Sequence, residues 1–144
     1  MSDKLDRLRA LADELTSYEI ERKKNLKRLK ELFESLQLQE KCSAFPEIFD
    51  FKAINLSGIS LTKENLGAIA EGKYAQIIGI QYVEEEGKRR AKNISLRYFG
   101  RVEQLDSQQK HTIIEFVLRW RLEKSFRGVD HYRSLVQQCK TNSI

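Results

Sequence analysis

The chain has 144 residues, 33% charged and 40% hydrophobic, with 26 basic against 21 acidic side chains for a net charge of +5. That length fits one domain with an appended helix, and one proline with seven glycines argues against a linker-rich or disordered polymer. No run approaches the ~20 apolar residues needed to span a bilayer. The charged N-terminus does not resemble a signal peptide, and two widely separated cysteines make no disulfide framework, so a cytoplasmic or nuclear protein is expected. Residues 107–144 hold seven basic and three acidic side chains, and the excess of positive charge is concentrated there. Such a local excess suits nucleic acid, anionic lipid or an acidic protein surface.

In chain order, residues 1–41 read as a long amphipathic helix. Leu8, Leu11, Leu15 and Tyr18 form one stripe at spacings of three and four. Leu26, Leu29, Phe33 and Leu36 form a second stripe, out of phase with the first. The polar run Glu21–Asn25 separates them, so no single heptad seam continues through. Either the helix shifts phase or it bends near Lys24. Its second half would then join the domain while its first half projects as a coil.

Phe45-Pro46 ends the helical region, and residues 45–140 read as a compact α+β domain. Ile48–Leu56 reads as a strand, Ile59–Leu61 as a short second one, and Lys63–Glu71 as a short helix stopped by Gly72. Ala75–Glu103 is the organising β-hairpin. Its strands run Ala75–Glu84 and Lys92–Arg101, with a charged turn, Glu85–Arg90, containing Gly87. Ile94, Leu96 and Tyr98 are assigned to one face of the second strand, and Asn93, Ser95 and Arg97 to the other. The first strand, apolar on both sides, is expected to be central. Asp106 or Ser107 caps a C-terminal helix whose apolar residues spread over more than half its circumference, as for a helix covered by both a sheet and another helix. Gly128 is expected to break it, and 141–144 to fray. The expected fold is therefore a small antiparallel sheet centred on the hairpin, packed by the C-terminal helix.

No catalytic constellation emerges, and neither a cofactor nor a metal is expected. Gly67–Lys73 matches the first seven positions of a phosphate-binding loop, but Tyr74 stands where Ser or Thr should hold magnesium, and the run ends a helix instead of opening one. His111, His131, Cys42 and Cys139 lack zinc spacing. His131 and Cys139 are two helical turns apart, too far for a nucleophile and its base. Glu84–Glu86 with Lys88 mimic one element of a metal-dependent nuclease, yet lie on an exposed turn.

The expected function is a non-catalytic interaction or adaptor module, binding a protein partner or self-associating through Leu8, Leu11, Leu15 and Tyr18. The alternative is a nucleic-acid-binding accessory protein. It would use basic helical surfaces, Lys23, Lys24, Lys27, Arg28, Arg119, Arg121, Lys124 and Arg127, with Arg89 and Arg90 at the hairpin tip.

Overall fold

A computed structural model describes residues 2–141. Two long helices and a three-stranded antiparallel sheet form a mixed α+β fold. Helix α1 runs Ser2–Ser35 without interruption. Strands β1 (Ala53–Ser57), β2 (Tyr74–Glu85) and β3 (Lys88–Arg101) follow, in the order β1-β2-β3, and helix α2 runs Ser107–Lys140. The expected fold class holds, with β2 central. Residues 142–144, most of the expected frayed tail, lie outside the described residues.

The hairpin forms because β-branched and aromatic residues line both runs and two residues suffice to reverse the chain. Glu86 and Gly87 both take positive φ, 52° and 74°, the geometry of a two-residue turn whose twist matches the strands it joins. The turn is thus shorter than Glu85–Arg90, and Lys88 and Arg89 already pair with Glu85 and Glu84 across the strands. A register shift between Ile77 and Ile78 inserts Leu96 as an extra residue in β3. Alternation therefore flips there. Leu96 is buried, but Tyr98, expected beside it, pairs with Gln76 on the opposite face and is 55% exposed.

Four further expectations fail for local reasons. Phe45–Asp50 is a tight 3-10 segment and not strand, so the strand spans Ala53–Ser57 only. Pro46 suits a helical first turn, where its missing N–H is not needed. Ile48, Phe49 and Phe51 are buried while Pro46, Glu47 and Asp50 are exposed, so the apolar residues line the inner side of a tight turn rather than one face of a pleat. The expected strand at Ile59–Leu61 shrinks to one bridge, Ile59 with Ile69. Lys63–Glu71 forms turns instead of a helix. Gly67 sits in its middle at φ +86°, outside the helical region, and its N–H bonds the Ser60 carbonyl. Finally, α2 runs straight through Gly128. An isolated glycine costs a helix only about 1 kcal/mol relative to alanine.

The main core cluster is drawn from the two helices, the sheet and the connection between α1 and β1, and a smaller one holds Ile59, Ala75 and Val102. α1 gives Leu29, Leu32 and Phe33, and the connection gives Leu36, Leu38, Cys42, Ile48, Phe49 and Phe51. The sheet gives Ile54, Ile77 and Leu96. α2 gives Ile113, Phe116, Val117 and Trp120. Helix α2 is covered both by sheet residues and by α1, as its broad apolar surface requires. Its start is fixed by Asp106, whose carboxylate accepts the Gln109 N–H at 2.7 Å.

Candidate functional site

The two long helices run antiparallel, and the contacts between them change character along their length. Near the sheet they are apolar. Farther out they become a polar belt, built from the Glu21–Asn25 run that separates the two stripes of α1. Asn25, 1% exposed, donates to the Arg119 carbonyl at 3.0 Å and accepts from the Arg119 guanidinium at 3.0 Å. Arg28 bridges to Glu115 at 3.1 Å, and Arg119 reaches the same carboxylate at 2.6 Å. One turn on, Arg22 grips Glu123 at 2.9 and 3.2 Å and also bonds Asp130. Glu123 is fully buried, and Arg127 adds a third contact at 3.3 Å. All of these meet one carboxylate oxygen, and the other has no partner. The belt closes on an aromatic clasp. Tyr18 packs edge-on against Phe126 at 5.2 Å, its hydroxyl reaches the Phe126 carbonyl at 3.4 Å, and the Arg133 guanidinium lies 5.1 Å from its ring.

Two arginines hold the Glu115 carboxyl at about 2, far below its ordinary 4.5. The Arg28 hydrogen bond is the largest cause, burial opposes it, and Arg119 adds to it. A depressed carboxyl contributes stability that is fully present above its unfolded pKa and is lost as pH falls through the folded value. Acid titration of the wild type should therefore lower the denaturant midpoint between about pH 4.5 and about pH 2. Glu115→Gln should be less stable at neutral pH and show a flatter profile across that window; a profile parallel to wild type would refute the assignment.

Beyond the clasp the chain changes again. Every described residue from 3 to 14, and every residue from 131 to 140, is exposed. Leu5, Leu8 and Leu11 of α1 are 52–59% exposed. On α2, Val129, Tyr132, Leu135 and Val136 are 40–67% exposed. These two arms carry the only exposed apolar stripes at helical spacing among the described residues. Leu15 lies in the same stretch of α1, and its side chain is outside the description. Tyr18, assigned to the same stripe from sequence, is turned onto α2 as part of the clasp. The α2 half of this surface was missed as a site. Its signal was present in Val129, Tyr132, Val136 and Cys139, which repeat at spacings of three, four and three.

The basic residues divide into two groups. Arg28, Arg119, Arg121, Lys124 and Arg127 are engaged within the chain. Arg121 donates to the Ile54 carbonyl and to Asn55, and Lys124 to the carbonyls of Phe49 and Phe51 at 3.3 Å. Burial lowers the Lys124 ammonium pKa. Arg127 also stacks 4.0 Å over Phe49. Lys23, Lys24 and Lys27 are exposed on α1. Arg89 and Arg90 stand at the hairpin tip, Arg89 4.2 Å over the Tyr82 ring and Arg90 3.7 Å from Glu85.

The residues weighed for catalysis do not converge. Cys42 is buried, Cys139 is exposed, and both are free thiols. The Gly67–Lys73 run leads into a strand. Among the described residues no group of three or more His, Cys, Asp or Glu is placed to hold a metal, and no helix is long and apolar enough to cross a membrane. A groove of about 630 Å³ runs beside Leu66, Ile114, Leu118 and Leu122. Of the ionic groups at its rim, Glu115 and Arg119 are already committed to the belt, and Lys110 and His111 complete the lining. No family model, curated protein or solved structure matches this chain.

Proposed function

We propose that this protein is a non-catalytic interaction module that self-associates through its two helical arms, residues 2–18 and 126–140. The observation that carries the reading is the exposure of Leu5, Leu8, Leu11, Val129, Tyr132 and Val136 on helices beyond the polar belt. An apolar stripe at helical spacing gains its free energy only when another surface covers it.

Charge favours a second copy as that surface. Residues 2–18 hold four acidic and three basic side chains, whereas 126–140 hold three basic and one acidic. In a two-fold arrangement the acidic arm of each copy lies against the basic arm of the other. Each helix is then flanked by antiparallel neighbours, as in an up-down four-helix bundle. The register set by the pairs Tyr18–Phe126, Arg22–Glu123 and Arg28–Glu115, carried outward, brings Leu8 level with Val136 and Leu5 level with Cys139. These arms are about 22–26 Å long at 1.5 Å per residue, enough for four layers of side chains.

Sedimentation of the full chain over a wide concentration range tests this. The wild type should be dimeric at micromolar concentration and dissociate on dilution. Leu8→Glu/Leu11→Glu should sediment as a monomer with unchanged circular dichroism, because both positions are exposed in a single copy. A wild type that stays monomeric at every concentration, or a variant that dimerises equally well, would refute the reading.

A further inference from the structure

One face of the sheet is used by the core and the other is open. On the open face β2 presents Tyr74, Gln76, Ile78, Ile80 and Tyr82. Across from them β3 presents Arg101, Tyr98, Ser95, Asn93 and Ala91, and β1 adds Asn55 and Ser57. Tyr74, Tyr82 and Tyr98 are 47%, 46% and 55% exposed. Tyr74 and Tyr98 form a pair with centroids 5.6 Å apart, tilted by 38°. The Arg101 guanidinium lies 6.0 Å from the Tyr74 ring, and Arg89 lies 4.2 Å over Tyr82. By register this face carries two arginines, Arg89 and Arg101, and one acid, Glu84, which stands opposite Arg89 near the tip.

We propose that this open face is a binding site for single-stranded nucleic acid. Exposed rings on a flat surface offer stacking for unpaired bases, and arginines beside the rings meet phosphates and add cation–π attraction. Between the rings lie the short polar side chains of Gln76, Asn93 and Ser95, which donate and accept hydrogen bonds at base edges. Tyr74 and Tyr82 are separated by about 26 Å along the strand, within reach of the roughly 4–16 nucleotides that such modules cover. A duplex offers no unpaired base to stack. An acidic polypeptide would satisfy the arginines but make no use of the ring pair, so the tyrosines favour nucleic acid. This site is separate from the helical arms.

Fluorescence anisotropy of the full chain tests it, using a labelled unstructured single strand of about twelve nucleotides, its duplex form, and polyglutamate, each at low and physiological salt. The single strand should bind most tightly, and its affinity should fall as salt rises. Tyr74→Ala/Tyr98→Ala should weaken binding tenfold or more while leaving the salt slope unchanged. Tyr74→Phe/Tyr98→Phe, which keeps both rings, should bind as wild type. Arg89→Gln/Arg101→Gln should reduce the slope by about 1.4, at ~0.7 per phosphate contact. The Phe and Gln variants carry the test if the alanine pair does not fold. No binding at low salt, an affinity insensitive to loss of the rings, or polyglutamate binding as tightly as the oligonucleotide would overturn the proposal.

Discussion

Trp120→Ala is expected to cost about 5 kcal/mol, the largest effect of any single substitution considered. Removing a buried aromatic side chain costs ~3–5 kcal/mol through lost transfer free energy and the cavity left behind. Trp120 is 3% exposed and lies in the cluster that joins α1, α2 and the sheet. Its indole N–H also donates to the Ile48 carbonyl at 2.8 Å, and a buried acceptor left without a partner adds ~1–3 kcal/mol. Against a total stability of roughly 5–15 kcal/mol, the variant should melt well below wild type or fail to fold. Trp120→Phe separates the two contributions. It keeps a ring in the site and loses the hydrogen bond, so it should cost about 2 kcal/mol. Chemical denaturation followed by circular dichroism measures both, since Trp120 is the only tryptophan and its emission disappears with it. Equal losses in the two variants would show that the hydrogen bond, and not the packing, dominates.

Arg22→Ala is expected to cost about 3 kcal/mol. Glu123 is fully buried and receives its hydrogen bonds from Arg22 and Arg127. Breaking a buried pair by removing one partner typically costs ~3–5 kcal/mol, because the remaining charge is left uncompensated. Arg127 remains, and the Arg22 side chain is 26% exposed, which places the cost at the low end. The double variant Arg22→Met/Glu123→Leu should recover most of the loss, since apolar replacement of a buried pair is often neutral or stabilising. Its expected penalty lies in specificity. Asn25 and the Arg22–Glu123 pair hold one register between two helices whose outer halves are bound by little else. A double-mutant cycle by denaturant titration reads the coupling. A double variant as unstable as Arg22→Ala alone would show that the belt stabilises by geometry that Met and Leu cannot reproduce.

The long-range architecture was legible wherever periodicity was long. The hairpin, the central place of β2 and the two-sided burial of α2 follow from alternation and from the spread of apolar residues over a helix. Short apolar runs were not legible. The start of the expected strand Ile48–Leu56 has a strand's composition but lies in a 3-10 segment that buries Ile48 and Phe49, and composition cannot separate those cases. The bulge at Leu96 reversed the assignment of Tyr98, because a one-residue insertion moves the side chains that follow it to the other face, until a second shift at Phe99 restores the alternation. Tyr98 is one of the three rings of the proposed nucleic-acid face, so that face was hidden by one residue of register. The run Glu21–Asn25 read as an interruption of the α1 seam. In the fold it supplies the belt, since the polar partners on α2, Glu115, Arg119 and Glu123, lie roughly a hundred residues away in sequence. Likewise the basic residues Arg119–Arg127 suggested a surface, and their side chains instead reach carboxylates and backbone carbonyls that only the folded chain brings near.

The polar belt also marks where the covered part of the two helices ends. Inside it, the apolar side chains between the helices are already buried. Outside it, leucines and valines at helical spacing stand in water on two helices of opposite charge balance. Cys139 belongs to the apolar stripe, so the dye goes on Gln138→Cys in a Cys139→Ser background; Gln138 is exposed on another side of the helix, and Cys42 is 3% exposed and stays unlabelled. The most direct measurement is energy transfer between one pool of full-length protein carrying a donor at position 138 and another carrying an acceptor there. Pairing of the arms with both heads at the same end predicts strong transfer on mixing at micromolar concentration, lost on dilution and absent in Leu8→Glu/Leu11→Glu. No transfer at any concentration, or transfer that the leucine substitutions leave intact, would contradict self-association through the arms.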